Sequence, residues 1–173
     1  MKIIVAEYAV GINDPAYLAE GRAMLMTLVR SFKNTGNDVI YPEDVKDFYR
    51  FIEKRSVECD CGLVIAPDEF LYEYTRILEE NTTNLGSPSE TVKLCADKLS
   101  TSFELKKNGI PTPKIYESRG HVQKKKYVVK PRFGCASEDI SVTSKFMCKD
   151  GFITTEFIQG DHLSVSLVVG THT

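Results

Sequence analysis

The sequence predicts an α/β protein in two parts: a Rossmann-like parallel sheet, then a small α+β unit. Three observations carry this reading. Strand and helix signals alternate from Lys2 to Leu78. A polar break with Gly86 and Pro88 follows at Asn81–Ser89, and beyond it one helix precedes several short β runs separated by turn residues.

Ile3–Ala6 is an apolar run suited to a buried strand within Lys2–Tyr8. Tyr17–Thr35 carries Leu18, Leu25, Leu28 and Phe32 at helical spacing, and Gly36 can end that helix. Asp38–Tyr41 reads as a second strand before Pro42, and Val45, Phe48, Tyr49 and Ile52 fall on one helical stripe. Gly62–Ala66 makes a third strand, and Phe70, Leu71, Tyr74, Ile77 and Leu78 a further stripe. This β-α-β-α-β-α order calls for parallel strands flanked by helices. The break sets the expected boundary, with units at 1–88 and 89–173. In the second unit a helix over Lys98–Asn108 stops at Gly109, before Pro111 and Pro113. Tyr127–Lys130, Ile140–Thr143, Phe152–Phe157 and Leu163–Val169 are then read as strands.

Composition narrows the function classes. With 173 residues, 42% hydrophobic and 27% charged, the chain can bury a core. Its 22 basic and 24 acidic side chains are interspersed, so no broad basic field exists to collect a nucleic acid. The first apolar run is too short for a secretion signal, and none approaches the roughly 20 residues that cross a bilayer. A cytoplasmic protein without nucleic-acid or membrane partners is expected. Five cysteines at irregular spacing suit reduced thiols, and neither Cys59 and Cys61 nor His121, His162 and His172 have zinc-site spacing. The segment after the first strand, Ala9-Val10-Gly11-Ile12-Asn13, lacks the G-x-G-x-x-G of a dinucleotide site.

Three features carry chemistry when taken together. Lys98 opens a helix, a position where a lone lysine is usually just solvated. Tyr127–Lys130 delivers a second lysine to a strand end, just before the small-residue stretch Arg132-Phe133-Gly134-Cys135-Ala136-Ser137. Backbone N–H groups in such a loop can approach phosphate oxygens while the lysine supplies charge. Finally, Ile153–Glu156 is a strand whose exit, Phe157-Ile158-Gln159-Gly160-Asp161-His162, leaves open backbone groups at Glu156 and Ile158 to pair with an adenine edge. In the first unit Glu7, with Tyr8, ends a parallel strand where open α/β sheets place ligands, and both are candidate substrate-side residues.

The segment from Lys98 to Val169 resembles the ATP-grasp superfamily. The resemblance implies that the first unit is a pre-ATP-grasp domain, followed by a small lid subdomain and the start of the second ATP-grasp subdomain. It implies phosphate contacts from Lys98 and Lys130, and a cover formed by Arg132, Gly134, Ala136 and Ser137. It further implies adenine recognition along Glu156, Phe157 and Ile158, and a ribose contact from Asp161 or His162. The cofactors it implies are ATP and Mg2+ or Mn2+, the metal ligands being expected beyond Thr173, so that the chain reads as truncated and inactive alone. Glu7-Tyr8-Ala9-Val10-Gly11, Glu20-Gly21-Arg22-Ala23-Met24-Leu25 and Leu85-Gly86-Ser87 are similar to archaeal ATP-grasp proteins that include tyramine:glutamate ligase of methanofuran biosynthesis. That similarity implies a small-molecule acid and an amine as partners, joined through an acyl phosphate. A homodimer is the assembly to look for. An ATP-grasp ligase for other substrates, or a non-catalytic nucleotide-binding module, stands as the alternative.

Overall fold

The computed structural model describes residues 1–116, 126–134, 139–161 and 163–170. Its first sheet is built from β1 (Lys2–Glu7), β2 (Asp38–Ile40), β3 (Cys61–Ile65) and β4 (Thr83–Asn84), in the order β2-β1-β3-β4 with every neighbouring pair parallel. Parallel neighbours need crossovers, supplied here by α1 (Tyr8–Gly11) and α2 (Leu18–Asn34), α3 (Phe48–Ser56) and α4 (Asp68–Asn81).

The continuous apolar run of β1 follows from burial on both faces. Side chains alternate across a strand, so Ile3 and Val5 pack with Leu25 and Val29 of α2. Ile4 and Ala6 meet Phe48 and Ile52 of α3 and Ile77 and Leu78 of α4 on the other face. The stripe expected from Val45 to Ile52 is shorter than its periodicity suggests. Asp47 accepts from the Arg50 N–H at 3.0 Å and starts α3 at Phe48, so Val45 packs from the preceding loop and Tyr49 is 40% exposed.

A helix not anticipated in the sequence, α5 (Ser89–Ala96), directly follows the polar break. It docks on α4 because the Glu79 carboxylate accepts from the Ser89 N–H at 2.9 Å and the Ser89 hydroxyl at 2.5 Å, and from Asn84 Nδ2 at 2.9 Å. α6 (Lys98–Lys107) comes next, then an antiparallel sheet of β5 (Tyr127–Pro131), β6 (Ser141–Thr143) and β7 (Phe152–Glu156) in the order β6-β5-β7. An Ile115–Thr155 bridge closes the free edge of β7.

The strand expected over Leu163–Val169 is not formed: these residues have no ladder partners among the described residues, and Leu163 and Val168 are 89% and 95% exposed. An alternating sequence becomes a strand only when a neighbouring edge takes its N–H and C=O groups. Both edges of β7 are already taken, by β5 and by the segment around Ile115. Among the described residues no helix is long and apolar enough to cross a membrane.

Candidate functional site

Lys98, Lys130, Arg132 and Gly134 converge because one carboxylate joins two elements. Asp97 is the N-cap of α6, accepting from the Leu99 N–H at 3.0 Å and from the Ser100 hydroxyl at 2.5 Å. The same carboxylate takes both Nε and Nη2 of Arg132, at 2.7 and 2.6 Å, from the exit of β5. Such a two-point pairing fixes orientation as well as distance. The Lys98 N–H donates to the Arg132 carbonyl at 3.1 Å, a further tie between the helix and the strand end. Asp97 is only 8% exposed, and the Arg132 guanidinium holds its carboxyl far below the usual carboxylate range.

The Arg132 guanidinium gives Nε and Nη2 to Asp97 and so braces the loop. Two ammonium groups remain. Lys98 Nζ donates to the Gly134 carbonyl at 2.5 Å, and Gly134 sits at φ +100°, a conformation that a side chain would strain. Lys130, half-buried on β5, pairs with no carboxylate among the described residues. Burial lowers its ammonium pKa, and the positive charge of Lys98 lowers it further. Two like charges held within electrostatic reach, one of them desolvated, make a site that an anion would stabilise.

At the other end of β5 the expected hinge is partly changed. The Glu156 N–H is not open: it donates to the Lys114 carbonyl at 2.8 Å. The Glu156 side chain is also committed, accepting from the Lys114 N–H at 2.9 Å. In a regular ladder that N–H would go to the Glu156 carbonyl, so the side chain leaves the carbonyl without it. The Phe157 N–H is used by the Lys126 carbonyl at 3.0 Å, whereas the Ile158 N–H has no backbone acceptor among the described residues. The exit of β7 therefore offers an acceptor at Glu156 and a donor at Ile158, two residues apart on the same edge. Asp161 is exposed close by. Ala136, Ser137 and His162 lie outside the described residues.

Glu7 and Tyr8 lie on a cleft of about 990 Å³ at the C-terminal ends of β1 and β3, reached also by Phe133 and Gly134 from the second unit. Glu7 is 3% exposed, and its Oε2 caps α1 by accepting from the Val10 N–H at 2.7 Å. A Cβ at Gly21 would come within 2.5 Å of that oxygen, so a glycine is required where α2 crosses the carboxylate. Tyr8 stacks with Phe70 at 5.1 Å and meets Phe48 edge-on at 5.3 Å.

Sequence reasoning missed Asp97. The order Asp97-Lys98-Leu99-Ser100 carries an N-cap signal, but its pairing with Arg132, 35 residues away, has no local signature. It also missed that Asp14, Glu20, Asp68 and Glu69 share the cleft with Glu7.

A parallel α/β unit is thus followed by an antiparallel sheet that carries Lys130 and the strand exit at Glu156. Residues 95–173 match the model of the ATP-grasp domain. The chain is 31% identical to the tyramine–L-glutamate ligase of Methanocaldococcus fervens, over 97% of this chain and 62% of that protein. It is 32% identical to the ligase of the same name from Methanocaldococcus jannaschii, over 97% of this chain and 59% of that protein. It thus spans about three fifths of the length of these curated relatives. A solved ATP-grasp superfamily protein of Archaeoglobus fulgidus superposes with a TM-score of 0.72 at 26% identity, covering 92% of this chain and 54% of that one.

Proposed function

We propose that this chain provides the nucleotide site and part of the substrate site of an ATP-dependent carboxylate:amine ligase, a cytoplasmic enzyme that joins glutamate to tyramine in methanofuran biosynthesis. The observation that carries the reading is the Lys98–Lys130 pair, two converging ammonium groups without a carboxylate partner among the described residues. The named activity of the two Methanocaldococcus relatives supports the substrates.

The residues fit ATP. Lys98 and Lys130 meet the phosphates, and Gly134 lets the backbone of the cover come close, in line with Ala136 and Ser137 beyond it. The Glu156 carbonyl accepts from the adenine amino group and the Ile158 N–H donates to the ring nitrogen, with Phe157 between them. Asp161 or His162 takes the ribose hydroxyls. ATP supplies the phosphoryl group that turns a carboxylate into an acyl phosphate, which the amine then displaces. The chain's own part is to hold phosphates and base in register, with Asp97 and Arg132 keeping α6 and β5 aligned so that the lysines arrive together. Mg2+ or Mn2+ would neutralise phosphate charge during the transfer, and no group of three or more His, Cys, Asp or Glu among the described residues could hold it.

Calorimetric titration of this chain with ATP tests the reading. Lys98→Ala and Lys130→Ala should each weaken binding by about 1.5–3 kcal/mol, the range for a hydrogen bond to a charged group. Unchanged affinity in both variants would remove the phosphate assignment. For the substrates, this chain is fused to the remaining portion of the M. jannaschii relative. The fusion is expected to release phosphate from ATP only when both glutamate and tyramine are supplied, and release independent of tyramine would overturn the substrate reading.

A further inference from the structure

The cleft at the ends of β1 and β3 has a chemistry of its own. Among the described residues its lining contains five carboxylates, from Glu7, Asp14, Glu20, Asp68 and Glu69, and no lysine, arginine or histidine. None of the five is in an ion pair among the described residues. Glu20 belongs to the first turn of α2, and Asp68 and Glu69 to that of α4, where acids are ordinary partners of a helix terminus. Asp14 Oδ1 accepts from the Ala16 N–H. Glu7 is different: a carboxylate 97% removed from solvent that spends Oε2 on a cap and leaves Oε1 without a hydrogen bond. No polar side-chain atom sealed from solvent lacks a partner among the described residues, so Oε1 still opens on the cleft it lines.

The lining also carries four aromatic side chains: Tyr8, Phe70, Tyr17 and Phe133. Tyr8 and Phe70 are already stacked, so their outer surfaces form a preset wall. Tyr17 and Phe133 are 51% and 57% exposed and stand at the rim. At about 990 Å³ the cleft can admit a small organic molecule. An acid floor with aromatic walls attracts a cation through both carboxylates and ring faces, and repels a dicarboxylate.

We infer that this cleft is the docking site for the amine substrate, a protonated primary amine on a short aromatic tail, with the ammonium group toward Glu7, Glu20 and Asp68 and the ring against Tyr8 and Phe70. The inference rests on the ligase reading above and adds to it the place of one substrate. The acid substrate is thereby directed elsewhere, toward the lysine side of the molecule.

Tyramine is the probe, titrated into this chain by calorimetry and followed by ligand-observed NMR, beside 3-(4-hydroxyphenyl)propanoate, which keeps the ring and replaces the ammonium by a carboxylate. Tyramine should bind and the propanoate should not, and a Glu20→Gln, Asp68→Asn double variant should lose at least tenfold in tyramine affinity with its circular dichroism unchanged. Glu7→Gln, which keeps an oxygen for the Val10 cap, should also weaken binding. Equal binding of both probes, no binding of tyramine at millimolar concentration, or unaltered affinity in the double variant would each overturn the inference. ATP titrated into the same samples separates the two readings. ATP binding without tyramine binding defeats only the amine cleft, and tyramine binding without ATP binding defeats the ligase reading and leaves the cleft.

Discussion

The parallel sheet of the first unit is covered on both faces, and β1 has Ile4, Val5 and Ala6 fully buried, whereas the antiparallel sheet of the second unit leaves β6 exposed at Val142 and Lys130 on β5 without a carboxylate partner among the described residues. The two units use the same short strands for different ends. In the first, strands are buried apolar rods whose ends open on a cleft. In the second, β5 and β7 carry the polar groups that a ligand would satisfy: an ammonium group, a carbonyl and an N–H. Unsatisfied groups mark the part of a fold arranged for a partner, because burying them without one is unfavourable.

The contrast can be broken by substitution. Ile4→Ala removes a fully buried side chain between α3 and α4 and should destabilise the chain by about 2–5 kcal/mol in urea unfolding, the range for large-to-small core changes. A loss below that range would mean the double-covered core is looser than its packing indicates.

The hinge gives the next effect. Guanine presents an acceptor where adenine presents its amino donor, so GTP would face the Glu156 carbonyl with like polarity and should bind about 1–3 kcal/mol more weakly than ATP. Competition titration checks it, and equal displacement by GTP would separate the β7 exit from base recognition.

The brace between α6 and β5 is sharpened by pH. Arg132 holds the folded-state pKa of Asp97 below its unfolded value, so this contribution to stability is present above the ordinary carboxylate range and is lost as pH falls below about 4. Asp97→Asn should therefore flatten the fall in the urea midpoint between neutral and acid pH. An unchanged acid slope would show that other carboxylates dominate it. Smallest of all, Val142→Ala on the exposed strand β6 should stay within about 0.5 kcal/mol of the parent, and a larger loss would reveal a covered face there.

The reading of residues alone went furthest where a signal is local and periodic. The 3.6-residue stripes of α2 and α4, the apolar run of β1 and the order of strands and helices are properties of short stretches of chain, since burial on one or two faces dictates which positions are apolar. The positions of Lys98 at a helix start and of Lys130 and Glu156 near strand ends were likewise legible. Helix α5 escaped because its anchor, Glu79, precedes the break that seemed to separate it. Leu163–Val169 has the alternation of a strand without a described partner, for alternation reports a preference and the ladder needs a second edge.

What the sequence by itself determined is therefore the α/β class and the order of a parallel unit before an antiparallel one. Only the tertiary structure decided that Arg132 pairs with Asp97, that the Glu156 side chain occupies the Lys114 N–H and frees its own carbonyl, and that five separate acids share one cleft with four aromatic rings. Each of these joins residues far apart in the chain through directional bonds or a shared cavity, and neither hydrogen-bond direction nor cavity shape is written in the spacing of neighbouring residues.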